Sequence, residues 1–310
     1  MYNEGPVIDI FYERTMGVVE ELGLSAEIVC VDDGASDDTA PRLRDLHARD
    51  PRVKCVFLSR NFGKEIALSA GLDHVRGELI IPTDADLQDP PELIPQMIAK
   101  LEEGYDVVYM QRTVREGETW VKRLTASVFY RLLAKMSDVE LPRNVGDFRI
   151  FTRRVLAAMQ SLSERRRFMK GLFAWVGFRQ CSMPYRREAR AAGTTSWNYW
   201  KLWNFAIEGF TSFTIGPLRI WTYLGALLAL VAFGYAAVLI GLGIFSGVEV
   251  PGYASLMVVV LMLGGIQLIT LGILGEYVGR IFQEVKGRPL YLVRDSCGDL
   301  AEPSAIQQKD

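Results

Sequence analysis

The sequence predicts an α/β domain, with helices flanking a mostly parallel sheet, followed by interfacial helices and two transmembrane helices. Three observations carry that reading. Up to about residue 110, short apolar runs ending in polar residues alternate with helix-like segments, the pattern of a parallel sheet. Ile220–Val248 and Val250–Gly275 contain no charged residue, and each is longer than the roughly 20 residues needed to cross a bilayer. Just before them lies a basic and then tryptophan-rich stretch, which suits a headgroup layer.

The elements follow in order. "AEIVCVDDG" (26–34) is an apolar strand ending in acids, and "SDDTAPRLRDLHAR" (36–49) is a helix with Pro41 near its first turn. "VKCVFLS" (53–59) is a second strand, and "KEIALSAGLDHVRG" (64–77) is an amphipathic helix closed by Gly77. "ELIIP" (78–82) is a third strand. "PELIPQMIAKLEEG" (91–104) is a helix stopping at Gly104, and "YDVVYMQR" (105–112) is a fourth strand. Ligands bind such sheets beyond the carboxyl ends of the strands. Asp32, Asp33, Asp84, Asp86 and Arg112 all fall at such ends.

From Arg143 to Lys201 there are thirteen Lys or Arg against three acids, which reads as contact with anionic lipid headgroups. "SWNYWKLWNFAIEGFTSF" (196–213) then places Trp197, Trp200 and Trp203 at helical spacing beside the first apolar run. Arg219 precedes the two runs and Arg280, Lys286, Arg288 and Arg294 follow them, while the turn at Glu249, Pro251 and Gly252 carries no Lys or Arg. Positive outer flanks place the N-terminal part in the cytoplasm and the runs in the inner (plasma) membrane. The resulting division is a cytoplasmic domain (1–190), an interfacial segment (191–217), a transmembrane hairpin (218–279) and a cytoplasmic tail (280–310). Beyond Cys297 the tail is polar and reads as disordered.

A formal net charge of −2 gives no global case for nucleic acid. Cys30, Cys55, Cys181 and Cys297 show no paired spacing, so reduced thiols are expected and neither a disulfide framework nor a zinc site. The two histidines, His47 and His74, read as surface helix residues. No secretory leader is visible at the N-terminus.

The stretch "TDADLQDPPE" (83–92) is the strongest chemical signal. Carboxylates and amides are hard oxygen ligands, suited to Mg²⁺ or Mn²⁺. In an extended or turn backbone residues i, i+2 and i+4 can point to the same side, so Asp84, Asp86 and Gln88 are candidates to converge on one cation. Mg²⁺ takes few protein carboxylates and fills its other positions with substrate phosphate and water, which points to a substrate carrying a diphosphate. Asp89 reads as a cap.

"YNE" (2–4), "VDDGASDDT" (31–39), "SRNFGKEIALSAGL" (59–72), "DADLQDPPE" (84–92) and "GDFRIF" (146–151) resemble the successive motifs of family 2 glycosyltransferases. "RFMKGLFAWVGFRQ", "WNYWKLWNFA" and "GEYVGRIFQEVKGRPLYLV" resemble the bactoprenol glucosyl transferases among the polyprenyl-phosphate enzymes, a group that includes dolichol-phosphate mannose synthase. The resemblance implies a GT-A-type, Rossmann-like fold. It implies Asp84, Asp86 and Gln88 as metal ligands, Asp32, Asp33, Tyr2, Glu4 and Lys64 at the nucleotide, and Arg112 and Arg123 at the acceptor phosphate. It also implies Asp147 and Arg149 as the catalytic pair beside sugar and acceptor, with Asp147 expected as general base or, alternatively, as the group that orients the sugar or Arg149. The implied partners are a nucleotide sugar, a polyprenyl phosphate and the membrane, with a homo-oligomer suggested by relatives. The implied reaction is inverting hexose transfer to undecaprenyl phosphate, with glucose from UDP-glucose favoured. GDP-mannose or an amino-sugar donor, and a non-catalytic membrane scaffold, are the alternatives. The family has an apolar strand directly before "YNE", here absent, and a start placed too late is the corresponding expectation.

Overall fold

In the computed structural model, the described residues are 1–113, 144–187 except 163, 165, 166 and 168, isolated positions between 223 and 238, and 252–302. Arg123, the interfacial segment with Trp197, Trp200 and Trp203, and most of the first apolar run lie outside them.

Among the described residues the strands form two sheets. In the first, β1 (Ile28–Asp32) pairs in parallel with β2 (Val53–Leu58), whose other edge takes β7 (Val293–Cys297) antiparallel. The second has the order β3 (Leu79–Ile80), β5 (Val145–Thr152), β4 (Val107–Arg112), β6 (Gln180–Tyr185). β5 runs antiparallel to both neighbours, while β4 and β6 are parallel. The arrangement is therefore mixed, and the mostly parallel sheet expected from the sequence is corrected. The alternation up to residue 110 says nothing of β5, which returns from beyond it and inserts between β3 and β4.

The helices are α1 (Ile8–Leu22), α2 (Thr39–Arg49), α3 (Lys64–His74), α4 (Ile94–Glu102), α5 (Arg153–Gln160), α6 (Met169–Trp175) and α7 (Tyr253–Val285). α2 and α4 fall where capping and proline signals put them. α3 ends at Val75 in an extended conformation, before the glycine expected to close it. α1, with Gly23 in the left-handed conformation after its last residue, precedes the first strand.

α3 serves both sheets. Ala67 and Ala70 pack with Val31, Val56 and Leu58 of the first sheet. Leu72 packs with Ile80, Val107 and Phe151 of the second. Small residues face one sheet and a large one the other, so a single helix fills the space between them. Its first residue, Lys64, thereby lies at the junction of the two halves.

The N-terminus closes on the end of β1. The Met1 ammonium donates to Val31 O at 2.5 Å, and Asp33 N–H donates to Met1 O at 2.8 Å. Asn3 Oδ1 accepts from Ser36 N–H, and Glu4 N–H donates to Thr39 Oγ1.

The segment after α7 is built into the first sheet, where the sequence suggested a tail. β7 completes the first sheet, and Tyr291 is buried with its hydroxyl donating to Asp73 at 3.0 Å. Beyond Cys297 the expectation of disorder is corrected for the described residues. Arg76 pairs with Asp299, and Ala301 N–H donates to His74 O at 3.1 Å. His74 is buried, not at the surface, because its Nδ1 donates to Ala301 O at 2.9 Å.

Among the described residues one helix is long and apolar enough to cross a membrane, with its apolar span at Met262–Val285 and none of that span buried.

The Tyr291 hydroxyl partners a buried carboxylate across more than two hundred residues of chain. Tyr291→Phe should therefore destabilise the protein by about 2 kcal/mol. Thermal unfolding of the detergent-solubilised protein reads this directly, and an unchanged melting temperature would show that the segment after α7 adds nothing to the fold.

Candidate active site

The site grows from the carboxyl ends of β1 and β3 and from the middle of β5. Asp32 ends β1 and is fully buried. Its Oδ1 accepts Ala35 N–H at 2.9 Å, its Oδ2 has no hydrogen bond, and the Arg294 guanidinium of β7 lies 3.8 Å from it. Asp33 has both oxygens engaged: Oδ1 accepts Phe62 N–H at 2.7 Å and Oδ2 accepts Gly63 N–H at 2.9 Å. It fastens the loop that leads into Lys64. The loops 34–36 and 60–61 touch so closely that a Cβ on Gly34 (φ 66°) would sit 2.5 Å from Arg60 C. Tyr2 is half exposed at the same end of the sheet.

Lys64 is the hub. Its Nζ lies 2.7 Å from Asp84 Oδ2 and 2.7 Å from Asp147 Oδ2. Burial works against its charge, but the Asp147 and Asp84 carboxylates outweigh that and hold its pKa above the ordinary lysine value. Burial likewise works against the Asp147 carboxylate, and Lys64 first, then Lys170, bring it below the ordinary range. Arg149, two residues on along β5, is buried, donates to Gly146 O at 2.9 Å and stacks 3.9 Å from the Phe173 ring centroid. Burial pushes its guanidinium down to about 10.

The acidic stretch is a turn at Ala85–Asp86. Leu87 has φ 57° and is buried, a left-handed backbone that costs an ordinary residue about 1–2 kcal/mol. Asp86 Oδ1 accepts Gln88 N–H at 3.2 Å. Among the described residues no three carboxylates, imidazoles or thiolates form a ready metal cage. The donor set still fits a hard divalent cation. Asp84, Asp86 and Gln88 share one turn, and Asp84 already holds a positive charge in the Lys64 ammonium. Asp89 is no cap. It is buried, and its Oδ1 accepts the Tyr185 hydroxyl at 2.5 Å.

Arg112 ends β4, and its Nε donates to the Tyr185 hydroxyl at 3.3 Å. A Cβ on Gly146 would sit 2.7 Å from Arg112 Nη2, so the guanidinium packs closely on the backbone beside Asp147. Burial and the bond to Asp89 push the Tyr185 phenol up to about 12, keeping it protonated.

Four neighbours escaped the sequence reading. Glu65 accepts Met169 N–H at 3.0 Å, tying α3 to α6. Burial and the Asp147 charge raise its carboxyl from 4.5 to about 7. Lys170 of α6 is pushed down by burial and held up by Asp147 and Glu65. Tyr185 and Arg294 complete the set. Glu65 stands directly beside the motif lysine, but Lys170 was hidden in a basic run read as lipid-facing.

The model of glycosyl transferase family 2 matches residues 1–159, and that of the GtrB C-terminal hairpin matches residues 216–281. An uncharacterized glycosyltransferase of Synechocystis sp. is 54% identical over 298 residues, covering 96% of this chain and 94% of its own. A prophage bactoprenol glucosyl transferase homolog of Escherichia coli (strain K12) is 47% identical over 294 residues, covering 95% and 96%. A mannosyltransferase of Pyrobaculum calidifontis, solved with GDP-Man and Mn²⁺, aligns over 92% of this chain and 85% of its own, with a TM-score of 0.44 and 19% identity. The chain belongs to glycosyl transferase family 2. It is a glycosyltransferase of GT-A type with mixed sheets, homologous to the bactoprenol glucosyl transferases.

The raised Glu65 carboxyl has a defined effect on stability. Between about pH 4.5 and 7 the folded protein keeps a proton that the unfolded chain releases, so this group's contribution falls as pH rises through that window. Glu65→Gln retains the bond to Met169 and removes the titration. The melting temperature of Glu65→Gln should gain on the wild type as pH goes from 5 to 8, and a constant difference would contradict the assignment.

Proposed function

We propose that the protein transfers a hexose, glucose from UDP-glucose, to undecaprenyl phosphate at the cytoplasmic face of the membrane, with inversion and with Mg²⁺ or Mn²⁺ as cofactor. The single observation that supports it most is the meeting of three motifs at one ammonium: Lys64, Asp84 of the acidic turn and Asp147 of β5. The name of the E. coli relative supplies the glucosyl and bactoprenol parts of the reading. The match to a C-terminal hairpin and the two uncharged runs favour two membrane helices, with the flanking arginines and lysines on the cytoplasmic side.

In this reading Asp84, Asp86 and Gln88 hold the cation, which when bound neutralises the diphosphate of the leaving nucleotide. Lys64 stands ready to pair with the same diphosphate. Tyr2, Glu4, Asp32 and Asp33 form the nucleoside end, Asp32 by its buried Oδ2 and Asp33 by holding the loop before Lys64. Arg112, with Arg123 from outside the described residues, receives the acceptor phosphate.

A polyprenyl phosphate is anionic at neutral pH, so its oxygen needs placement against the anomeric carbon more than deprotonation. The lowered pKa of Asp147 makes it a poor proton acceptor. Orientation of the sugar by Asp147 is therefore favoured over general base catalysis, and Arg149 supports its strand from beneath. Direct displacement inverts the anomeric centre.

A nucleotide-sugar panel with undecaprenyl phosphate should yield a glucolipid from UDP-glucose, and EDTA should abolish it. Asp86→Ala should lower turnover at least about 10²-fold. Product from Asp86→Ala at the wild-type rate sinks the metal assignment, and failure of every donor sinks the reaction.

A further inference from the structure

Asp89 follows the acidic turn by one residue beyond Gln88, is buried, and gives no side-chain bond to the helical turn after it. Its partners lie on β6. Oδ1 accepts the Tyr185 hydroxyl at 2.5 Å, and the Arg187 guanidinium is 3.7 Å away. Tyr185 is 5% exposed and pairs in register with Arg112 on the neighbouring parallel strand. Its carbonyl accepts both the N–H and the hydroxyl of Thr113, and its ring packs against Phe148. The Tyr185 side chain therefore has little freedom.

The chemistry of this chain of bonds has a direction. An ionised carboxylate only accepts, so Asp89 fixes the phenolic proton toward itself. The lone pairs of the Tyr185 oxygen are then left to accept Arg112 Nε–H, the bond observed at 3.3 Å. The guanidinium packs on Gly146, whose Cβ position would lie 2.7 Å from Nη2, 3.6 Å from Cζ and 3.8 Å from Nε. Among the described residues no carboxylate is within ion-pair distance of Arg112. An arginine held by Nε presents two terminal N–H groups in parallel, the geometry that grips a phosphate by two oxygens.

We propose that Tyr185 is a positioning residue for the transfer: clamped by Asp89, its hydroxyl holds Arg112 Nε and aims the outer edge of the guanidinium at the phosphate of the lipid acceptor. The proposal rests on the reading of Arg112 given under Proposed function. It also ties acceptor to donor. Asp89 is continuous with the turn carrying Asp84, Asp86 and Gln88, so any shift of that turn is passed through Tyr185 to Arg112.

The test uses the full chain in detergent. Tyr185→Phe keeps the ring and deletes only the hydroxyl. The KM for undecaprenyl phosphate should rise about tenfold, as for loss of one hydrogen bond to a charged group, while the KM for the nucleotide sugar changes less than twofold. In an Arg112→Lys background, which lacks Nε, Tyr185→Phe should have no further effect on the acceptor KM, and a merely structural tyrosine would still show its full effect there. Equal rises in both KM values, or an acceptor KM unchanged in Tyr185→Phe, overturn the proposal. Asp89→Ala, which removes the acceptor of the phenolic proton, serves if Tyr185→Phe does not fold, with the same two outcomes. Calorimetric binding of a short-chain prenyl phosphate without donor separates the two levels. No binding to the wild type defeats the acceptor reading itself. Wild-type binding that Tyr185→Phe leaves untouched defeats only the positioning role.

Discussion

The site depends on one ammonium group. Lys64 Nζ sits 2.7 Å from a carboxylate of the acidic turn and 2.7 Å from one on β5. Those carboxylates belong to segments more than sixty residues apart, and brought together alone they would repel. A cation between them turns that repulsion into the contact that joins the turn, the strand and the start of α3. The position of the lysine is itself secured from behind, because both oxygens of Asp33 hold the backbone just before it. The same contact joins the two sheets: α3 rests on both, and its first residue reaches from the β1 side to residues of the β3–β5 side.

Around this hub the protein keeps unusual features that a stable core alone does not require. Leu87 is held in a left-handed conformation within the acidic turn. Arg149 is buried with backbone carbonyls and an aromatic ring as its closest partners. Asp32 keeps one buried oxygen without a hydrogen bond. Each costs free energy in the unliganded protein, and each lies where the nucleotide, the cation or the sugar is assigned. The strain at Leu87 and the unmet Asp32 oxygen suit a site shaped for a charged ligand.

Much of the site was legible because its groups lie at strand ends in short motifs. The acids of 32–33 and 84–86 and the arginine at 112 follow from apolar runs that stop at polar residues, and α2 and α4 follow from proline and capping signals. What the sequence hid was long-range. β5 inserts antiparallel between β3 and β4, and β7 returns from after α7 to the edge of β2. Neither pairing has a local pattern, since partners lie tens to hundreds of residues apart. For the same reason Asp89 looked like a cap until Tyr185 was found against it, and His74 looked like a surface residue until Ala301 covered it. Lys170 was lost in a basic segment whose total charge is visible from sequence but whose individual directions are not.

The central claim is that Lys64, Asp84 and Asp147 mark a cation–diphosphate site, with the lysine standing against Asp84 until the donor arrives. Titration of the full-length protein with Mn²⁺, reading free ion by electron paramagnetic resonance with and without UDP, tests it most directly. The account predicts weak Mn²⁺ binding to the protein alone and binding about tenfold tighter, at one ion per chain, when UDP is present. Equally tight binding in the absence of UDP, or no retained Mn²⁺ in its presence, contradicts it.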